Sequence, residues 1–234
     1  MSLIDYTMDE HVAIVSMNAG ENRFNFDFFN AFHEVLDAVE KEANASVLVV
    51  KSSDEKIWSN GIDLEWIGPL VQKEGPEIAK KFNLEIYRLF KRIMVFPMTT
   101  IAALTGHAFA GGGIMSCAFD FRFMRSDRGW LCFPEIDINI PFTNFLNEIV
   151  KTAIPMYKIV EMQVTGQRLT ADECVEHHIV IKACPKEELM NEVLAFAKTQ
   201  NKGREVMTTM KTRLFADALR VYEESQSPSA PSLL

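Results

Sequence analysis

At 234 residues with 48% apolar side chains, the chain is long enough for one domain with a full core and room for a smaller terminal appendage. Its 32 acidic and 24 basic residues give a net charge of −8, which argues against a nucleic-acid partner held by a basic field. No apolar run reaches the roughly 18 residues that a bilayer-spanning helix needs, and no basic-then-apolar leader opens the sequence, so a soluble, cytoplasmic protein with no membrane partner is expected.

In chain order, Ile4–Met8 and Val12–Met17 flank Asp9-Glu10 and predict a hairpin. Glu21–Asn25 reads as a polar loop, and Asn25 is placed to cap the helix that follows. Phe28, Phe29, Phe32, Val35, Leu36 and Val39 recur at spacings of three and four, which predicts an amphipathic helix from Phe26 to about Ala43. Ser46–Lys51 carries Val47, Leu48, Val49 and Val50 and predicts a buried strand, so strand and helix alternate as in an α/β protein. Lys56–Trp66 reads as a strand, a small polar turn at Ser59-Asn60-Gly61 and a short helix that Asp63 can cap. Polar Val71–Gly75 is expected to be mobile. Gly75-Pro76 then breaks the chain before a long helix, Glu77 to about Val95, with Ile78, Phe82, Ile86, Leu89, Phe90 and Ile93 on one face.

The centre of the chain is Ile101–Phe121, where a buried strand passes through Gly111, Gly112 and Gly113 into a helix from Ile114. Each glycine costs a helix about 1 kcal/mol relative to alanine, so three in succession need a reason. One glycine would signal only close packing of helix on strand; three point to a ligand. The first-turn amides of a helix lack intrahelical partners and carry the positive end of its dipole, so the glycines open a socket for an oxygen that is, or becomes, negative. The turn at Gly61 is a second place where amides are bared, and two such turns can make a two-donor oxyanion hole. Spacing excludes a Walker A loop, a GxGxxG fingerprint and a GxSxG elbow.

Phe121–Met124 and Trp130–Phe133 read as short strands joined by a turn at Asp127-Arg128-Gly129. Pro134–Pro141 sets Glu135 and Asp137 among Ile136, Ile138 and Ile140; in an extended segment the two carboxylates share a face. Helices follow at Thr143–Ala153 and at Pro155–Thr165, the second stopped by Gly166, and Thr170 caps another. Ile179–Lys182 reads as a strand, Lys186–Thr199 and Gly203–Glu224 as the last helices, and Ser225–Leu234 as a tail without regular structure. Cys117, Cys132, Cys174 and Cys184 form no CxxC pair and are expected to be reduced structural thiols. Cys174, His177 and His178 lie close in sequence but have no second ligand cluster, so no metal is expected.

Ser59-Asn60-Gly61-Ile62-Asp63-Leu64 followed by Gly106-His107-Ala108-Phe109-Ala110-Gly111-Gly112-Gly113 resembles the paired signature of the crotonase, or enoyl-CoA hydratase/isomerase, superfamily. Val164–Glu173 is similar to that family's later tract, in which one helix ends in Thr-Gly-Arg and the next begins Thr-Ala-Glu. The resemblance implies a superhelix of repeated ββα units over residues 1–185, C-terminal helices over 186–224 for packing and oligomerisation, and a tail over 225–234. It implies acyl-CoA substrates, a homotrimer or dimer of trimers, and no cofactor beyond the coenzyme A of the substrate itself. It further implies that the amides of Ile62 and Gly112 bind the thioester oxygen, with Ser59, Asn60, Gly61, Asp63, Gly111 and Met115 around the substrate and Arg23 and Phe24 near the nucleotide end.

The chain departs from the hydratases of that family where two glutamates position water. The first position, two residues past the triple glycine, is Met115; the second, after a proline, is Glu135. One carboxylate suits a double-bond shift, and the tract Asp127–Ile138 is similar to plant-type and related bacterial delta(3)-delta(2)-enoyl-CoA isomerases. The sequence therefore predicts an enoyl-CoA isomerase in which Glu135, its pKa raised toward roughly 6 to 7 by apolar neighbours, is the only acid and base. The alternatives are a homologue that binds acyl-CoA without catalysis and another crotonase reaction such as hydration, hydrolysis or decarboxylation.

Overall fold

A computed structural model describes residues 2–227; the expected tail from residue 228 onward lies outside the described residues. The hairpin forms as β1 (Ile4–Asp9) antiparallel to β2 (Val12–Met17). Inside the stretch read as loop, Arg23 and Phe24 make a two-residue strand, β3 (Arg23–Phe24). Asn25 caps α1 (Phe26–Lys41) by accepting the Phe28 amide, and β4 (Val47–Ser52) follows. Next come β5 (Ile57–Ser59), β6 (Gly61–Ile62) and α2 (Leu64–Glu74), whose N-cap is Asp63. The segment expected to be mobile is the last turn of α2: the helix tolerates Pro69 and ends at Gly75, which takes a φ of 85° before α3 (Pro76–Met94).

The chain continues through β7 (Thr99–Leu104), β8 (His107–Phe109), α4 (Gly111–Cys117), β9 (Phe121–Arg125) and β10 (Leu131–Cys132). A single 3-10 turn, Pro134–Ile136, carries Glu135, so the segment is not extended and Asp137 does not share its face: Glu135 is buried and Asp137 exposed beside Gly166. Then follow α5 (Asn144–Lys151), α6 (Met156–Thr165), β11 (Arg168–Leu169), α7 (Ala171–Glu176), β12 (Lys182–Cys184), α8 (Lys186–Lys198), α9 (Arg204–Leu214) and α10 (Ala216–Ser225). Two expectations shift here. Ile179 and Val180 donate their amides to Cys174 O and close α7, so the strand starts at Lys182. The helix read from Gly203 breaks at Phe215 into α9 and α10.

Six strands form the main sheet in the order β1-β2-β4-β7-β9-β12, parallel beyond the first pair. Successive side chains of a strand face opposite ways, and β4 and β7 are apolar on both faces. Leu48, Val50, Ala102 and Leu104 turn into the large core, whereas Val47, Val49, Ile101 and Ala103 turn to a smaller one closed by Leu189, Val193 and Ala197 of α8. A second sheet, β11-β10-β8-β5, and the parallel pair β3–β6 stand beside the first. The turns between these small strands and the helices after them hold the site.

The C-terminal helices are tied to this core by charge as well as by packing. Lys211 on α9 is buried, pairs with Asp120 at 2.6 Å and donates to Met98 O at 2.8 Å, while Asp120 also accepts the Thr100 amide at the edge of β7. Removing one member of a buried pair strands the other without water or a partner. Lys211→Ala is therefore expected to lower unfolding stability by about 3 kcal/mol, read as a lower urea midpoint with an unchanged slope. Lys211→Met, which keeps the packed stem, should lose less.

Candidate active site

Two glycine turns meet at the top of the molecule. A Cβ built on Gly61 would stand 2.5 Å from the Gly111 amide nitrogen and 3.0 Å from that of Gly112, and Gly61 has a φ of 71°. Only a residue without a side chain fits there. Phe24 pairs with Ile62, and the Asp63 amide donates to Phe24 O at 3.1 Å. Amides of a strand alternate sides, so that of Ile62 turns away from β3. In α4, Ile114 donates the first intrahelical hydrogen bond, to Ala110 O at 3.0 Å, and the amides of Gly111, Gly112 and Gly113 precede it.

Ala110, which leads into that helix, has φ 50° and ψ −130°, a conformation costly for any residue with a Cβ. It is held there from both sides: its amide donates to Cys132 O at 3.0 Å and its carbonyl accepts from Ile114.

These turns border a cavity of about 360 Å³. Of the residues expected at the site, Arg23, Asn60, Ile62, Gly111 and Glu135 line it. Phe24, Ser59, Gly112 and Met115 do not, and each has a packing reason. Phe24 is fully buried with its ring behind Gly111, where a Cβ would come within 2.9 Å of Cε2. The Ser59 hydroxyl donates to Asn22 O and accepts the Gly61 amide, so it braces the turn from inside. A Cβ on Gly112 would collide with Ser59 O, and Met115 lies in the core. The position past the glycines that faces the cavity is Ile114. Asp63 caps α2 outside the cavity, within 3.9 Å of Arg23.

Glu135 lies at 8% exposure, and its Oε2 has no hydrogen-bond partner. Burial raises its pKa to about 7, against the pull of its own backbone amide. Of the apolar neighbours expected around it, Phe133 is buried and Ile138 and Ile140 line the cavity, but Ile136 is 53% exposed and turns outward. The other carboxylate on the cavity, Glu65, stands at the mouth with its side chain 88% exposed, 3.8 Å from Arg23.

The sequence reading did not anticipate the remaining walls: Ile86 and Phe90 of α3, Phe142, and Leu146 of α5. The helical periodicity marked Ile86 and Phe90 as inward-facing, but a core position and a cavity wall carry the same apolar signal. His107 is packed between Phe109 and Trp130 and accepts the Trp130 amide on Nδ1. The four cysteines are free and buried, His177 bonds Tyr157, and among the described residues no group of His, Cys, Asp and Glu could hold a metal ion. No helix among them is long and apolar enough to cross a membrane.

A family model described as enoyl-CoA hydratase/isomerase matches residues 7–228. Enoyl-CoA delta isomerase 2, peroxisomal, of Arabidopsis thaliana is 30% identical over 166 residues, 70% of this chain and 69% of that protein. The short-chain-enoyl-CoA hydratase of Clostridium acetobutylicum is 24% identical over 182 residues, 77% of this chain and 68% of the other. The crystal structure of an enoyl-CoA hydratase from Mycobacterium ulcerans superposes with a TM-score of 0.85 at 18% identity, over 95% of this chain and 96% of that one, and shares its fold.

The buried acid has a consequence for stability. In the unfolded chain a glutamate titrates near its ordinary 4.5, whereas the folded protein keeps Glu135 protonated up to about 7. The native state thus binds more protons over that window, and stability falls as pH rises through it, by up to about 3 kcal/mol for this group. Glu135→Gln should therefore be more stable than the parent at pH 8 and nearly matched at pH 4, in paired urea titrations. An advantage that does not change with pH would mean the acid is not desolvated.

Proposed function

This chain belongs to the enoyl-CoA hydratase/isomerase family, and we propose that within it the protein is an isomerase that moves the double bond of a 3-enoyl-CoA into conjugation with its thioester. Glu135 carries the reading: it is the one buried carboxylate on the cavity, with a pKa near neutrality. A group with that pKa is deprotonated often enough to take a proton and acidic enough to return it. Hydration needs a second carboxylate to hold water, and the positions past the triple glycine are Ile114 and Met115. The similarity to the Arabidopsis isomerase supports the same choice.

The thioester oxygen sits against the amides of Ile62 and Gly112; the Gly112 amide precedes the first intrahelical bond of α4, and Gly111 beside it is on the wall. Glu135 removes a proton from C2, and the electrons of that C–H bond pass to the carbonyl oxygen to give a dienolate. The same carboxylic acid then returns the proton at C4, so the double bond moves from C3–C4 to C2–C3. No co-reactant or separate cofactor enters; coenzyme A is part of the substrate. Each preorganised donor contributes about 3 kcal/mol to holding the dienolate oxygen, and the low-dielectric cavity preserves that strength.

The assembly proposed with this reaction is a homotrimer or a pair of trimers. Its support is an apolar stripe on α6, where Met156, Tyr157, Val160 and Val164 are all more than half exposed. Light scattering of the purified protein is expected to give three or six times the chain mass; a monomer would reject it.

The reaction is tested by mixing purified protein with a 3-enoyl-CoA and following the absorbance of the conjugated product. Isomerisation is expected, with kcat/KM rising with pH through about 7 as the Glu135 carboxylate forms. Glu135→Gln should lower kcat by roughly 10²- to 10⁴-fold while leaving the folded structure intact. Full activity in that variant would remove Glu135 from the mechanism. Addition of water to a 2-enoyl-CoA outpacing isomerisation would assign the site to hydration.

A further inference from the structure

The cavity has two kinds of wall, one charged and solvent-reached, the other apolar and buried. At the mouth stand Arg23, Leu64 and Glu65, all reached by solvent. Four other wall residues have almost no solvent-exposed surface: Phe90 at 0%, Ile86 and Ile114 at 2%, Leu146 at 3%. These four come from three different helices, α3, α4 and α5, of which α5 packs on both of the others. Phe90 is itself backed by the ring of Phe24 at 5.9 Å between centroids. Where these four residues form the wall, what lies behind it is close-packed core.

We propose that this buried wall is a floor, to which α3 contributes Ile86 and Phe90, and that it limits the substrate to medium-length enoyl chains of about eight carbons. The inference rests on the acyl-CoA reading above and adds to it the length of the acyl group. The volume sets the number. A cavity of about 360 Å³ holds about 12 groups of water or methylene size at about 30 Å³ each. The carbonyl carbon, its oxygen, the sulfur and the two carbons on the far side of the sulfur take about five of those places, which leaves about seven for C2 to C8 of the chain. Up to that length each added methylene exchanges water for an apolar wall and tightens binding about four-fold. Beyond it a carbon has nowhere to go without moving the core.

The experiment uses saturated acyl-CoA thioesters, which bind without reacting, so that its outcome is independent of turnover. Calorimetric titration of the full chain with the C4 to C16 series is expected to show affinity climbing about four-fold per carbon and then breaking to a flat or falling trend near C8. Phe90→Leu should carry the break about two carbons further, and Ile86→Phe should bring it about two carbons back. The second variant adds volume instead of removing it, so a shift in opposite directions separates a floor from general damage to the core.

A steady climb through C16 would overturn the proposal and send the chain out beneath the Ile138–Phe142 segment. A break near C8 that neither variant moves would remove Phe90 and Ile86 from the role. If the length break appears while no 3-enoyl-CoA of any length is isomerised, the floor stands and the isomerase reading falls. If isomerisation proceeds with no length break, the reverse holds.

Discussion

The contact of Gly61 with Gly111 and Gly112 is the constraint on which the site depends. Two backbones approach there more closely than any side chain permits, and three elements have to be in register for it to happen. β3 and β6 pair over only two residues each, yet that pairing sets the side to which the Ile62 amide turns. The Ser59 hydroxyl holds the turn from within, and Phe24 fills the space behind Gly111. Ala110 keeps an unfavourable backbone conformation because hydrogen bonds on both sides over-determine it. Residues that never touch the cavity thus fix the direction of the amides that do.

Glu135 is the electrostatic counterpart of that backbone frame. A carboxylate with an unpartnered oxygen inside an apolar wall is a poor choice for stability, and the protein accepts the loss at this one place. The 3-10 turn explains how. Pro134 starts it, the Glu135 carbonyl takes the Ile138 and Ile140 amides, and the side chain is directed inward while Ile136 and Asp137 go out. Among the described residues, the other buried charged side chains have partners: Lys211 has Asp120, Lys158 has Glu161, and the Arg122 guanidinium is satisfied by the carbonyls of Ser116, Phe119 and Ile179. Against that background the bare carboxyl of Glu135 stands apart, as groups tuned for proton transfer do.

Most of this frame was legible in the sequence because its signals are local. Alternating apolar blocks announced the strands and helices, Asn25, Asp63 and Thr170 announced their caps, and the glycines marked both turns. What escaped was decided at a distance. Arg23 and Phe24 become a strand only because Gly61 and Ile62 lie alongside, and nothing in a polar loop sequence encodes a partner 38 positions away. The triple glycine was read from the sequence for its amides alone; the structure adds that the missing Cβ of Gly112 makes room for Ser59 and that of Gly113 for β8 and β10, while Gly111 lines the cavity. A missing Cβ looks the same in sequence whether a ligand or a neighbouring strand occupies its place. The same ambiguity hid the floor, since Phe90 and Leu146 carry the pattern of any buried helix face.

The mouth adds a constraint on how an anionic thioester is held. Arg23 is the cation there, but Glu21 lies 2.7 Å from it and Asp63 and Glu65 lie within 3.9 Å, so three carboxylates surround one guanidinium. With the chain at −8 overall, no long-range field draws a phosphorylated carrier in. In the proposed reaction, affinity then has to come from contacts made after entry: amides at the thioester oxygen and apolar wall along the acyl chain. Both act only on a substrate fully seated, with water expelled from around Glu135. The base needs no such help from the chain, because burial in the protein alone already raises the Glu135 pKa to about 7.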